Sequence, residues 1–181
     1  MANLLTALRL FLVLPVAWGL ADSSFLNPWV LIFLIALAIA SDYFDGIVAR
    51  ATNTASSRGQ LFDHTTDFVF VSAGLTGLAI LGLINPLLPI LIVFAFLQYV
   101  IDSYYLYKQK QLRMSFLGRW NGVFYFIPLV LAAASRLDVL NIISQPLQLA
   151  VTIIGYALIV STITSIIDRV LAPLRATEAS P

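Results

Sequence analysis

The sequence predicts an all-α, polytopic integral membrane protein with six transmembrane helices, and three observations predict it. Of its 181 residues 60% are hydrophobic and only 10% charged, where a soluble domain carries about 25% charged residues. The apolar residues come in runs near the length of about 20 that a helix needs to cross a hydrocarbon core. No stretch alternates with the period of two that marks a half-buried strand, so no sheet is expected.

The first expected helix runs from about Leu4 to Leu20, with Pro15 and Gly19 softening its end. No positive charge precedes its apolar part and Arg9 sits inside it, so a cleaved leader is not expected. Asp22 to Ser24 and Asn27-Pro28 make a polar turn, and Pro28 suits a first helical position. The second helix is apolar to Ala40, then turns polar without a breaker, which carries it to about Ala51. Small polar residues without periodicity follow, from Ala51 to Arg58. The third helix is expected from about Gly59 to Leu83, and Asn85-Pro86 opens a fourth that reaches Lys108. A basic loop, Lys108 to Arg119, leads to a fifth from about Trp120 to Ala134. A turn at Arg136 to Asn141 precedes the sixth, from Pro146 to about Leu171. Residues 1–174 form a single membrane domain by this reading, and Arg175 to Pro181 a disordered tail.

Positive charge orients the helices. With the N-terminus cytoplasmic, Arg9, Arg50, Arg58, the basic loop, Arg169 and Arg175 gather on or near that side, and Arg136 alone lies opposite. Both termini and the polar end of the second helix are then cytoplasmic. The net charge of +1 gives no footprint for nucleic acid. The chain has no cysteine, which excludes disulfides, thiolate chemistry and cysteine-held zinc or iron–sulfur sites.

Four of the nine acidic residues crowd into one stretch, at Asp42, Asp45, Asp63 and Asp67. On a helix Asp42, Asp45 and Ala49 share a face, as do Gly59, Asp63 and Asp67. A hairpin of two helices would turn these faces towards each other, and their mutual repulsion demands cations. The donors are all oxygen apart from the lone histidine, His64, which favours Mg²⁺ or Mn²⁺ over zinc. Mg²⁺ completes its shell with substrate phosphates, so the expected substrate carries a diphosphate. Gly46 and Gly59 leave room for a ligand beside the backbone, and Arg50 and Arg58 border the same face with charge for phosphate oxygens.

The pattern Asp42-x2-Asp45-Gly46-x2-Ala49-Arg50-x8-Gly59-x3-Asp63-x3-Asp67 matches every defined position of the signature of the CDP-alcohol phosphotransferase family. The six-helix layout is also similar to that family. Asn3-Leu4-Leu5-Thr6-x2-Arg9 resembles the start of its phosphatidylglycerolphosphate synthase branch. The resemblance implies a phosphatidyltransferase of phospholipid biosynthesis: an acceptor hydroxyl attacks CDP-diacylglycerol and CMP leaves. It implies Asp42, Asp45 and Asp63 as metal ligands, and Asp67 as both a metal-facing group and the general base. Gly46, Ala49 and Gly59 would line the cytidine nucleotide, with Arg50 nearby, and a homodimer is suggested.

The chain departs from the glycerolphosphate branch at His64 and Phe68, where that branch carries Pro and Lys. The branch's later Gly-Lys-x-Lys-Thr-x2-Gln stands here as Gly118-Arg119-Trp120-Asn121-Gly122-x2-Tyr125. The acceptor therefore stays open between glycerol 3-phosphate, inositol phosphate, inositol and phosphatidylglycerol. Arg58, Lys108, Arg113 and Arg119 are its candidate contacts, although the basic loop equally suits a contact with anionic lipid.

Other positions carry weaker readings. Asp102 inside the fourth helix suits either a functional acid or a partner for Arg9 or Arg119. His64 suits packing or support of the ligands, Arg136 an interfacial anchor, and Ala73 with Gly77 a seat for a neighbouring helix. The competing functions are a divalent-cation transporter using the same carboxylates and a non-catalytic membrane scaffold.

Overall fold

A computed structural model describes residues 2–51, 57–102 and 116–178, with side chains described at 5–45, 47, 59, 61–102 and 117–171. The helices are α1 (Ala2–Ala21), α2 (Pro28–Ala51), α3 (Ser57–Ile80), α4 (Leu87–Ile101), α5 (Phe116–Phe124), α6 (Phe126–Ala134) and α7 (Ser144–Glu178). A 3-10 turn, Asp138–Ile143, joins α6 to α7. The described residues include no strand.

The two Asn-Pro pairs start helices by the same device. Asn27 Oδ1 accepts from the Trp29 amide at 2.9 Å, and Asn85 Oδ1 from the Leu87 amide at 2.9 Å. Each side chain satisfies an amide that the first turn leaves orphaned, while proline has no amide to orphan. α3 stops at Ile80, short of the expected Leu83. Gly82 takes φ +82° there, and the Leu83 amide closes back on Leu78 O at 3.0 Å. That left-handed step ends the helix, and glycine takes it without a Cβ penalty.

The expected fifth helix is two, α5 and α6, meeting at Tyr125. Pro128 has no amide to donate to the Phe124 carbonyl, so the ladder lapses there. Both halves belong to one apolar span, Leu117–Ala134, which keeps the six expected crossings. Pro28–Asp45 and Asp138–Leu171 are also long and apolar enough to cross a membrane, while Leu5–Ala21 and Leu87–Ile101 are shorter apolar helices. α7 passes the expected end near Leu171 and remains helical to Glu178, so Arg175 to Glu178 extend a helix where a disordered tail was expected. Ala, Arg and Glu there are good helix formers. The expected continuation of α4 to Lys108 lies outside the described residues.

Lipid-facing side chains such as Phe11, Leu14 and Trp18 cover the outside of α1, at 81%, 79% and 64% exposure. Its other face, Thr6, Arg9, Val13, Val16 and Leu20, is buried against α2 and α3. Steps of three and four residues put these five on one stripe. At its far end the small-residue expectation holds: a Cβ on Gly77 of α3 would strike the Ala17 carbonyl. α1 and α3 thus touch backbone to backbone. The close approach fixes the height at which Arg9 faces the aspartates of α3.

Candidate active site

The carboxylates of the two acidic faces do turn towards each other, and a side chain from a third helix lies between them. Arg9 of α1 is fully buried. Its Nη2 lies 3.1 Å from Asp42 Oδ1 on α2. Its Nη1 lies 3.3 Å from Asp63 Oδ1 and in closer contact with Asp67 Oδ1, both on α3. One turn earlier on α1, the buried Thr6 hydroxyl donates to Asp45 Oδ2. All four aspartates of the α2–α3 hairpin therefore meet the buried stripe of α1.

Neither Thr6 nor Arg9 was among the candidate site residues. The signal was present: an arginine within an apolar run is a functional candidate by default, and three residues separate it from a threonine on the same face. Read as a topological charge and as a possible partner for Asp102, it gave no hint of the hairpin aspartates. Arg9 meets Asp42, Asp63 and Asp67, and Asp102, its candidate partner, is not among its ion pairs.

The donor set fits a hard divalent ion. Asp45 Oδ1 is buried and has no hydrogen-bond partner, the state of a carboxylate oxygen that lacks a cation. Asp63, His64 and Asp67 offer ligand atoms that all lie within 4.8 Å of one another. These are oxygen donors plus one imidazole, so Mg²⁺ or Mn²⁺ suits them and a thiolate metal does not. The His64 ring stands edge-on to Tyr99 at 6.3 Å while one of its nitrogens lies within this group.

A cavity of about 590 Å³ opens from the aspartates into the bundle. Asp42, His64 and Asp67 line it, with Phe68, Phe96, Tyr99 and Tyr125 among its walls. Two guanidinium groups line it as well, Arg119 of α5 and Arg169 of α7. Arg169 sits 5.1 Å from the centre of the Tyr99 ring, a cation–π approach that holds its charge on the cavity side of α7. Polar pairs brace the wall between them: the Tyr125 and Thr162 hydroxyls are 2.7 Å apart, and Ser161 Oγ is 2.6 Å from Asn121 Oδ1.

Of the expected acceptor contacts, Arg119 is in the cavity wall, and Arg169 joins it without having been a candidate. Lys108 and Arg113 lie outside the described residues. The backbones of Gly46, Ala49 and Arg50 belong to α2 and that of Arg58 to α3, but their side-chain positions fall outside the described part. Gly59 is half-buried in the first turns of α3.

The chain is similar to a CDP-diacylglycerol–glycerol-3-phosphate 3-phosphatidyltransferase of Mycoplasma genitalium, 33% identical over 101 residues. The match covers 54% of this chain and 42% of that relative, so the chain spans less than half of the relative's length. Residues 1–168 match the family model for CDP-alcohol phosphatidyltransferase, and the chain belongs to that family.

Proposed function

We propose that the protein transfers a phosphatidyl group from CDP-diacylglycerol to the hydroxyl of a small phosphorylated alcohol, glycerol 3-phosphate, with release of CMP and dependence on Mg²⁺ or Mn²⁺. The observation that carries the reading is a cavity lined both by the signature carboxylates Asp42 and Asp67 and by two arginines, Arg119 and Arg169. The carboxylates suit a cation-bound diphosphate. Arg119 and Arg169 suit a phosphate on the acceptor, which a neutral alcohol such as inositol would leave unused.

In this reaction the acceptor oxygen attacks the phosphorus that bears the diacylglycerol. The bond from that phosphorus to the oxygen shared with CMP breaks, and CMP leaves with the bonding pair. Asp67 takes the hydroxyl proton, as its place beside the cavity allows. Asp42, Asp45 and Asp63, with Asp67, would hold the metal, which when bound offsets the charge of the diphosphate and of departing CMP. Arg119 and Arg169 orient the acceptor phosphate so that its hydroxyl faces Asp67. Gly46, Ala49, Arg50 and Gly59 line the cytidine nucleotide in this reading, and Arg58, Lys108 and Arg113 add positive charge on the acceptor's approach. The positive-inside rule sets this end at the cytoplasmic face, and family resemblance supports a homodimer.

The test is CMP release by the protein in detergent with CDP-diacylglycerol and Mg²⁺. Glycerol 3-phosphate, inositol phosphate, inositol, serine and phosphatidylglycerol would be offered side by side. Release with glycerol 3-phosphate and its loss on chelation are expected. Release unaffected by chelation, or equal with serine and glycerol 3-phosphate, would overturn the reading.

A further inference from the structure

The site contains a cation of its own. The Arg9 guanidinium lies between the α2 carboxylate Asp42 and the α3 carboxylates Asp63 and Asp67, and its side chain has no exposed surface. Yet Arg9 Nε and Nη2 have no hydrogen-bond partner. Nη2 is near enough to Asp42 for charge attraction, at 3.1 Å, without a bond that satisfies its protons. Across the hairpin the buried Asp45 Oδ1 has no donor. Unmet donors on a buried cation, with an unmet carboxylate oxygen on the same helical hairpin, are rare in a finished polar network. They are what remains when one member of a network stands in another's place.

Distances support the same view. Oxygens that share one Mg²⁺ sit about 2.0–2.1 Å from it and so only about 3 Å apart. Asp63, His64 and Asp67 form a group within 4.8 Å, and Asp42 is not in that group. For Asp42 to share an ion with the α3 carboxylates it has to approach them, and the guanidinium is in the way. A guanidinium does not give up its proton, so it repels an incoming divalent ion at every working pH.

We propose that Arg9 is an internal counter-cation: it holds the aspartates together in the metal-free protein, gives way when a divalent ion enters, and then offers its guanidinium to the donor's diphosphate. The proposal rests on the metal-dependent transfer reading given above. It makes Arg9 an antagonist of metal binding and a contributor to nucleotide binding. A purely structural arginine has neither property.

The test compares the wild-type chain with Arg9→Gln and Arg9→Lys, each solubilised in detergent. Mn²⁺ binding is measured by the EPR signal of the free ion, with no nucleotide present. Arg9→Gln is expected to bind Mn²⁺ about tenfold tighter than wild type, because the opposing charge is gone, and Arg9→Lys to stay near wild type. With Mn²⁺ saturating, Arg9→Gln is expected to lose about tenfold in CDP affinity. Unchanged or weaker Mn²⁺ binding by Arg9→Gln would overturn the antagonism, and unchanged CDP binding would overturn the role towards the diphosphate. Should Arg9→Gln be too unstable to isolate metal-free, the comparison moves to the rise of unfolding temperature with added Mn²⁺. A larger rise than in wild type supports the proposal, and an equal or smaller one overturns it. A wild-type chain that binds no Mn²⁺ would sink metal dependence and this inference together. One that binds Mn²⁺ but releases no CMP would strike the transfer reading alone.

Discussion

The two ends of α1 each receive a guanidinium, and the two are used in opposite ways. Near its start Arg9 reaches out from α1 to three carboxylates on other helices. At the far end Arg136 reaches in, donating to the carbonyls of Gly19 and Leu20 at 2.5 and 2.7 Å. Those carbonyls belong to the last turn of α1, where no further amide is available to them. Arg136 therefore finishes a helix: neutral oxygens receive a half-buried cation, and attraction to the helix C-terminus adds to the bonds. It anchors α1 itself, where an interfacial anchor was expected. Arg9 instead sits among more negative charge than it can neutralise, with N–H groups unused. A satisfied arginine is read as architecture, and an unsatisfied one amid carboxylates as part of a site.

The sharpest break in that comparison should come from the carboxylate end. Asp67→Asn keeps the shape and removes the base, so CMP release should fall by about 10²–10⁴-fold, while the unfolding temperature in detergent holds or rises. A variant that keeps its rate would remove Asp67 from the chemistry. Next in size are Arg119→Ala and Arg169→Ala at the cavity wall. Loss of a charge-assisted bond worth about 1.5–3 kcal/mol raises the KM for glycerol 3-phosphate by about ten- to a hundredfold, with kcat less affected. Equal effects on a neutral acceptor would show that neither arginine reads phosphate.

The far end should respond first in stability, and in chemistry only where α1 moves against α3. Gly77→Ala forces a methyl group against the Ala17 carbonyl, costing about 1–3 kcal/mol as overpacking does. It also shifts α1 against α3, so activity should fall with it. Arg136→Gln removes charged donors from the end of α1 and should cost about 1–2 kcal/mol, leaving kcat and Mn²⁺ affinity as in wild type. A drop in Mn²⁺ affinity there would mean that the two ends are coupled.

The smallest effect concerns the loop after α1. The Ser24 hydroxyl and amide hold the Asp22 carboxyl below its usual pKa, with Arg136 adding to them. A lowered carboxylate pKa means stability present above the unfolded value of about 3.8 and lost as pH falls through the folded one. Ser24→Ala should move the Asp22 titration midpoint up, as followed by NMR, with no change near neutral pH.

Much of the fold was legible because local chemistry writes it. α2 stays helical through Ala51, the last residue described there, since nothing between Ala40 and Arg50 breaks a helix. The break at Tyr125 was not expected, because a proline inside an apolar run does not by itself end a helix: Pro15 lies inside the unbroken α1. α7 runs past the expected Leu171 because a terminal position alone does not end a helix, and the residues there favour helix. In the site, the spacing of Asp42, Asp45, Asp63 and Asp67 marked two faces. The part played by Arg169 was not legible, because 70 residues separate it from Tyr99, and only packing of α7 brings the two together.

Sequence by itself determined that this chain lives in a membrane, where its helices run, and which carboxylates share a face. Composition and the 3.6-residue period act within a single helix, so a reader needs no partner to see them. The tertiary structure alone decided that Arg9 meets Asp63 and Asp67 across 54 and 58 residues, and that Thr6 meets Asp45 across 39. Periodicity says which face of a helix is polar but not which helix it will meet. That choice fell to the contact of Gly77 with Ala17, which draws α1 onto α3 and carries a guanidinium into the acidic cleft.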